Sequence, residues 1–420
     1  MTQHAVLPEG FEGIDLHALA EREGTPLYVY SAPALCTRMR VLHEALAGLD
    51  AGIRYAVKAN SNGAVLRLLA EEGAGADIVS GGEMQRALRA GIAAADIVFS
   101  GVGKSDAEIV MALDVGVGRF NIESRAELEA IQRLAAARGM VARAAVRINP
   151  DVDALTHAKI STGKAENKFG VSIEEARSWF DAHAQWPNVQ LDGLHMHIGS
   201  QLLSLAPVRL ALARMAAFWR ELQAAGHGIA SIDVGGGLGV RYREGEQAPD
   251  ARDYADAIRA ALDGFGGRIL VEPGRWLVAE AGILLARVLL EKQGQTRRFL
   301  VLDAAMNDLL RPSLYEAWHD IVRIGDATGR ERIDYDVVGP VCETGDTFAT
   351  GRELVRCEAG DLVVIHGAGA YGASMGSTYN SRPLPAEVLV DGGRYAVVRR
   401  RQSFDAMIAE ECRAEAWRTT

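Results

Sequence analysis

The chain has 420 residues, 49% of them hydrophobic and 24% charged, the proportions of a globular protein long enough for two domains. A formal net charge of -10 argues against a general binder of nucleic acid or anionic membrane, and no apolar run reaches membrane-spanning length. The four cysteines (Cys36, Cys342, Cys357, Cys412) are scattered without C-x-x-C spacing and no early segment reads as a signal peptide, so a reducing cytoplasm is expected rather than a disulfide framework or zinc knuckle.

A β-rich segment at 25–31 comes first. Strands are then predicted at 53–59, 76–80, 96–101, 119–124, 141–150, 191–200, 231–235 and 268–273. Between them, segments such as 82–91, 125–139 and 207–226 carry apolar residues at helical spacing. Eight strands alternating with helices predict a (β/α)8 TIM-like barrel over 33–281, favoured over an open doubly wound sheet. Beyond 282 the runs at 297–304, 334–340, 362–369 and 386–400 are strand-like. They predict a mostly β C-terminal domain, a sandwich or barrel of 282–420 that also takes in 1–32.

The chemistry of such a barrel lies at the C-terminal ends of its strands. Lys58 closes the first predicted strand, the sixth carries His195 and His197, the seventh runs into Gly235–Gly239, and the eighth ends in Glu272, Gly274 and Arg275. Glycine amides at a helix start can approach an anion closely, and loops after strands seven and eight are the usual phosphate site. Desolvation of Lys58 is expected to lower its pKa and make it a Schiff-base nucleophile, the alternative being a solvated strand-end lysine. Phosphate, lysine and carboxylate together describe pyridoxal phosphate, with Glu272 keeping the pyridine nitrogen protonated. The histidine spacing also permits a metal pair. No ligand cluster on other strands is evident to complete one, so no metal is expected, and a histidine stacked on a cofactor ring fits better.

Several segments in order carry a resemblance: YAVKAN (55–60), GADIVSGGEM (75–84), HAKISTGKAENKFG (157–170), GLHMHIGSQ (193–201), DVGGGLG (233–239), EPGR (272–275), RPSLYEAWH (311–319), GPVCETGD (339–346) and GAYGASMGSTYNSRP (369–383). The chain resembles the diaminopimelate decarboxylases, within the barrel-plus-β-domain decarboxylases that use pyridoxal 5'-phosphate. Tyr55 stands where many relatives have phenylalanine.

The resemblance implies that Lys58 bonds the cofactor, with Asp77 and Glu83 nearby and His197 stacked on its ring. It implies that Ser200, Gly236, Gly237, Gly274 and Arg275 serve the phosphate and that Glu272 pairs with the ring nitrogen. Arg275, Arg311 and Tyr315 are implied to bind the substrate's distal end or carboxylate, Glu343 its distal ammonium, and Tyr371 to lie by substrate and cofactor. Cys342 is implied to return a proton to the α-carbon. The reaction implied is decarboxylation of meso-2,6-diaminopimelate to L-lysine and carbon dioxide, the last step of lysine synthesis. The alternative is another diamino acid substrate of ornithine, arginine or carboxynorspermidine type. A homodimer is implied as well, with Cys342 and Glu343 of one subunit completing the barrel site of the other.

Overall fold

The computed structural model describes residues 8–154, 162–163, 167–243 and 245–411. Most of the motif at 157–170, and Cys412, lie outside the described residues. The first strand, β1 (Leu27–Ser31), stands apart from the barrel. The next eight are β2 (Ala51–Ala56), β3 (Gly75–Ile78), β4 (Ile97–Phe99), β5 (Arg119–Ile122), β6 (Ala142–Arg147), β7 (Val189–His195), β8 (Ser231–Asp233) and β9 (Arg268–Val271). They close in sequence order, β9 pairing back onto β2, and every pair is parallel.

The helices between them start where a short polar side chain can take up a free backbone N–H. Ser80 accepts from the Glu83 amide, Ser124 from the Glu127 amide and Ser172 from the Glu175 amide. Ser105 and Glu108 form a reciprocal capping box. Each helix turns an apolar face inward, as Leu128, Ile131 and Leu134 do in Arg125–Ala136. Inside the barrel base a buried ion pair, Arg119 to Asp192 at 2.8 Å, fills the space beside Gly193. A Cβ on Gly193 would strike the Arg119 guanidinium.

The remaining strands are β10 (Gly282–Gln293), β11 (Arg298–Leu302), β12 (Ile321–Arg323), β13 (Arg332–Val338), β14 (Thr347–Val355), β15 (Leu362–Ile365), β16 (Ala386–Asp391) and β17 (Arg394–Arg399). Together with β1 they make a nine-stranded sheet whose main path is β14-β13-β11-β10-β1-β16-β17. β1 lies between β10, antiparallel, and β16, parallel, so this strand belongs to the second, mostly β unit. All five β1 residues are buried, as a strand covered on both faces requires.

The strand ends differ from expectation at three places that matter for the site. β2 stops at Ala56 and the chain turns into a 3₁₀ turn, Val57–Ala59, that holds Lys58. The Ala56 amide donates to the Pro273 carbonyl at 3.1 Å, and Pro273 has no N–H with which to extend the ladder. β6 stops at Arg147 and β7 at His195, so His197 lies beyond the strand rather than on it.

Candidate active site

Lys58 leaves its turn toward β3, where its Nζ lies 2.6 Å from Oδ2 of the fully buried Asp77. Burial opposes charge on Lys58, but Asp77, Tyr371 and Glu272 together outweigh it, and the ammonium pKa is raised. The expected lowering by desolvation is therefore corrected: a carboxylate at contact distance reverses the sign. Glu83, on helix Gly81–Arg89, binds the Val79 amide at 2.8 Å and lies within electrostatic reach of Lys58 and Asp77.

Just past β9, the barrel strand that adjoins β2, stands Glu272, which is buried. Its Oε2 lies 3.2 Å from His195 Nε2 and its Oε1 accepts from Asn121 Nδ2 at 3.3 Å. Burial, then repulsion from Asp77, pushes its pKa up to about 8, while Lys58 and Arg147 pull the other way. Burial drives His195 down to about 4, so its imidazole is neutral. Asp233, at the end of β8, joins the pair, and the ligand atoms of His195, Asp233 and Glu272 lie within 4.8 Å of one another. The expectation that neighbouring strands supply no carboxylates to the histidine is thus wrong. The Asp233 carboxyl is raised well above its ordinary range by burial and by Glu272, and its Oδ2 has no hydrogen-bond partner among the described residues.

The glycine run is tight because neighbouring carbonyls occupy the space a side chain would need. A Cβ on Gly235, Gly236 or Gly237 would collide with the carbonyl oxygen of Met196, Glu272 or Gly199 respectively. Gly235 and Gly237 also have φ of +69° and +107°, which glycine alone adopts without strain. The Gly236 amide donates to His197 Nδ1 at 3.2 Å, which leaves Nε2 to carry the proton of the neutral ring. Gly274 packs against Ala56 and Ala59, where an added Cβ would come within 3.0 and 3.1 Å of their methyls.

Beside the glycine run the charge turns positive. Arg275 is buried, with Nη2 at 3.0 Å from Ser200 Oγ and Nη1 at 2.8 Å from Tyr242 Oη. Its guanidinium carbon stands 4.8 Å from the centre of the Tyr371 ring. Arg311, on the short helix Arg311–Tyr315, is also buried and lies 4.4 Å over the Tyr242 ring. Tyr315 is within electrostatic reach of both arginines. Tyr371 sits at φ +55°, and its amide donates to the Ala59 carbonyl at 2.8 Å, tying this loop to the turn of Lys58. Among the described residues no carboxylate pairs with either arginine, and Arg311 Nε has no partner at all. Two buried cations without a counter-charge make an anion site.

A family described as "Pyridoxal-dependent decarboxylase, pyridoxal binding domain" matches residues 34–279. The diaminopimelate decarboxylase of Pseudomonas aeruginosa is 50% identical over 402 residues, which cover 95% of this chain and 96% of the relative. That of Zymomonas mobilis is 47% identical over 408 residues, 96% of each. The chain belongs to the diaminopimelate decarboxylase family. The solved structure of diaminopimelate decarboxylase from Helicobacter pylori, complexed with L-lysine, superposes with a TM-score of 0.90 at 44% identity, covering 94% of this chain and 98% of that one.

In this member of the diaminopimelate decarboxylase family, Lys58, Asp77, His197, Ser200, Gly236, Gly237, Glu272, Gly274, Arg275, Arg311, Tyr315 and Tyr371 meet at the barrel mouth. Cys342 and Glu343 do not join them. They are exposed on the loop between β13 and β14. The Cys342 amide donates to Asn380 Oδ1 at 3.0 Å, and Glu343 lies close enough to the Tyr379 hydroxyl to raise its pKa. Asp346 shapes that loop from below, accepting the amides of Val341 at 2.7 Å and Met306 at 2.6 Å.

Sequence reasoning missed Asp233, Tyr242, Asn380 and the part His195 plays. Asp233 carried a signal, a carboxylate at a strand end directly before the glycine run. Tyr242 and Asn380 carried none, because nothing local marks which loop tyrosine or asparagine faces a site.

Proposed function

We propose that this chain releases carbon dioxide from meso-2,6-diaminopimelate to give L-lysine, using pyridoxal 5'-phosphate. The observation that carries the reading is the pair of buried arginines, without a carboxylate partner among the described residues, beside the Lys58–Asp77 ion pair and buried Glu272. The residues fit the cofactor. Lys58 is the amine that would bond its aldehyde, and Ser200, Arg275 and the Gly236–Gly237 and Gly274 turns would hold the phosphate. Glu272 would meet the ring nitrogen, His197 the ring face, with Asp77 beside the lysine. When bound, the group supplies an electron sink for the bond broken at the α-carbon.

The chain's own groups do the rest. Arg311, Arg275 and Tyr315 bind the distal carboxylate, and Glu343 the distal ammonium. Tyr371 covers Lys58 and substrate. Lys58 Nζ, kept protonated by Asp77, holds a proton at the reacting end. Glu272 provides the negative charge that favours a protonated ring nitrogen, and His195 and Asn121 fix its orientation. Cys342 Sγ delivers the proton that replaces the carboxylate. The carboxylate leaves as carbon dioxide, its bonding electrons remain on the α-carbon, and one proton balances them.

Because Cys342 and Glu343 are exposed and contact Asn380 and Tyr379 rather than the barrel mouth, we read the enzyme as a homodimer with shared sites. We divide each chain into a barrel of 33–281 and a β domain of 1–32 with 282–420. The pairing of β1 with β10 and β16 supports that division. The setting is read as a reducing cytoplasm, from the scattered cysteines. An ornithine or arginine decarboxylase needs no anion site at the distal end, so the arginine pair favours diaminopimelate. The test is carbon dioxide release from a panel of diamino acids, with and without added pyridoxal 5'-phosphate, and identification of L-lysine as product.

A further inference from the structure

The segment 311–319 contains one buried titratable side chain that the chemistry above does not use, His319. Its Nδ1 lies 2.7 Å from the His366 carbonyl oxygen and its Nε2 lies 2.7 Å from Arg311 Nη1. A guanidinium only donates, and so does not leave Nε2 the choice: it accepts, and Nδ1 carries the proton given to His366. We propose that His319 is a positioning residue that aims Arg311 at the substrate's distal carboxylate and thereby sets selectivity for diamino acids that carry one. The inference rests on the reading that Arg311 binds that carboxylate.

The surroundings hold the imidazole in place. Arg352 Nη1 donates to the His319 carbonyl at 2.8 Å. The preceding Trp318 is clamped between the guanidinium groups of Arg243, at 3.9 Å from its ring centre, and Arg352, at 3.4 Å. Trp318 Nε1 also donates to Asp320 at 2.7 Å. Tyr242 meets His319 edge-on, with ring centres 5.2 Å apart, and offers its own face to Arg311. Gly367, at φ +65°, makes room: a Cβ there would come within 2.9 Å of the Tyr242 ring. One arm of Arg311 is therefore tied down and one face covered, while Nε has no partner among the described residues.

The choice of a neutral acceptor is the decisive feature. A carboxylate in the place of His319 would orient Arg311 equally well, but it would also discharge it and compete with the substrate's anion. A neutral imidazole orients the cation and leaves its charge to the ligand. Burial, and then Arg311 itself, hold His319 well below its ordinary pKa, consistent with that neutral state.

The test uses holoenzyme and two competitive probes, L-lysine, which retains the distal carboxylate, and cadaverine, which lacks it. His319→Asn keeps a donor for His366 but removes the acceptor for Arg311, whereas His319→Gln can return an acceptor to the guanidinium. For His319→Asn the KM for meso-diaminopimelate and the inhibition constant for L-lysine are expected to rise about tenfold or more, the worth of a hydrogen bond to a charged group. The kcat is expected to stay within about threefold and cadaverine inhibition within about twofold, because neither needs the distal carboxylate contact. His319→Gln is expected to recover most of the loss. Equal weakening of lysine and cadaverine, or an unchanged KM in His319→Asn, would overturn the inference. Arg311→Met is run in parallel. If it abolishes the preference for lysine over cadaverine while His319→Asn does not, only the role of His319 falls. If Arg311→Met also leaves the preference intact, the carboxylate reading of Arg311 falls with it.

Discussion

Nζ of Lys58 stands 2.6 Å from Oδ2 of Asp77, a carboxylate with no exposure to solvent on the neighbouring barrel strand. That contact leads the influences that keep the reactive lysine protonated, with Tyr371 and Glu272 adding to it, where burial alone would have driven its pKa the other way.

Replacing Asp77 with Asn should therefore lower the Lys58 pKa. In cofactor-free protein, the pH at which Lys58 becomes acylated, read by peptide mass mapping, is expected to fall by about one unit or more. Lys58→Ala is expected to remove the visible absorbance of the loaded enzyme and the borohydride-trapped label. A label on another lysine would displace Lys58 from its role.

The exposed position of Cys342 leads to a mixing experiment. Lys58→Ala and Cys342→Ala chains, each nearly inactive, are unfolded and refolded together. Half the dimers are hybrids with one intact site of two, so activity is expected to return to roughly a quarter of wild type. Absence of recovery, with hybrids shown to form, would mean each site is built within one chain.

Arg311→Met should lower kcat/KM for meso-diaminopimelate by about a hundredfold or more, because a bidentate charged contact is lost. Cofactor affinity is expected to change little. A wild-type enzyme that prefers ornithine or lysine over diaminopimelate would promote the alternative substrate class and leave the fold untouched.

Asp346 ties Val341 and Met306 together beneath the loop of Cys342. A Cβ on Gly339 would strike its carboxylate, so the loop is folded closely around it. Asp346→Ala leaves the buried Val341 amide and the half-buried Met306 amide unsatisfied and is expected to cost about 2 kcal/mol of stability. It should also change the rate at which Cys342 is alkylated, whereas Asp346→Asn, which keeps one acceptor, should lie between Ala and wild type. Unchanged alkylation in Asp346→Ala would show the loop is held by other contacts.

Glu272 makes the cofactor-free protein pH-sensitive. Its pKa rises from an ordinary 4.5 to about 8 in the folded chain, so the folded state holds its proton more tightly than the unfolded one. The associated stability is complete below about pH 4.5 and lost as pH rises toward about 8. Thermal midpoints of cofactor-free wild type should fall between pH 5 and pH 8 more steeply than those of Glu272→Gln. The loss amounts to ~1.4 kcal/mol at most for each step of one in pH across that window. Parallel slopes for the two proteins would remove Glu272 as the cause.

The alternation of strand and helix, the eight barrel strands and the β-rich remainder were legible in the chain because they depend on local periodicity and on caps such as Ser80 and Ser105, which act within one turn. The glycine run, Lys58, Glu272 and Arg275 were legible as candidates, since strand ends in a barrel converge on one mouth whatever the details of packing. Tertiary structure decided the rest. It ended β2 at Ala56, whose amide meets the carbonyl of Pro273, a residue beyond β9 with no N–H to extend the ladder. It brought Asp233 beside His195 and Glu272, and set Tyr242 and His319 around Arg311. It also reversed the expected pKa of Lys58. Each of these depends on groups far apart in the chain and within a few ångströms in space, where burial sets the size of an electrostatic effect and the nearest partner sets its sign.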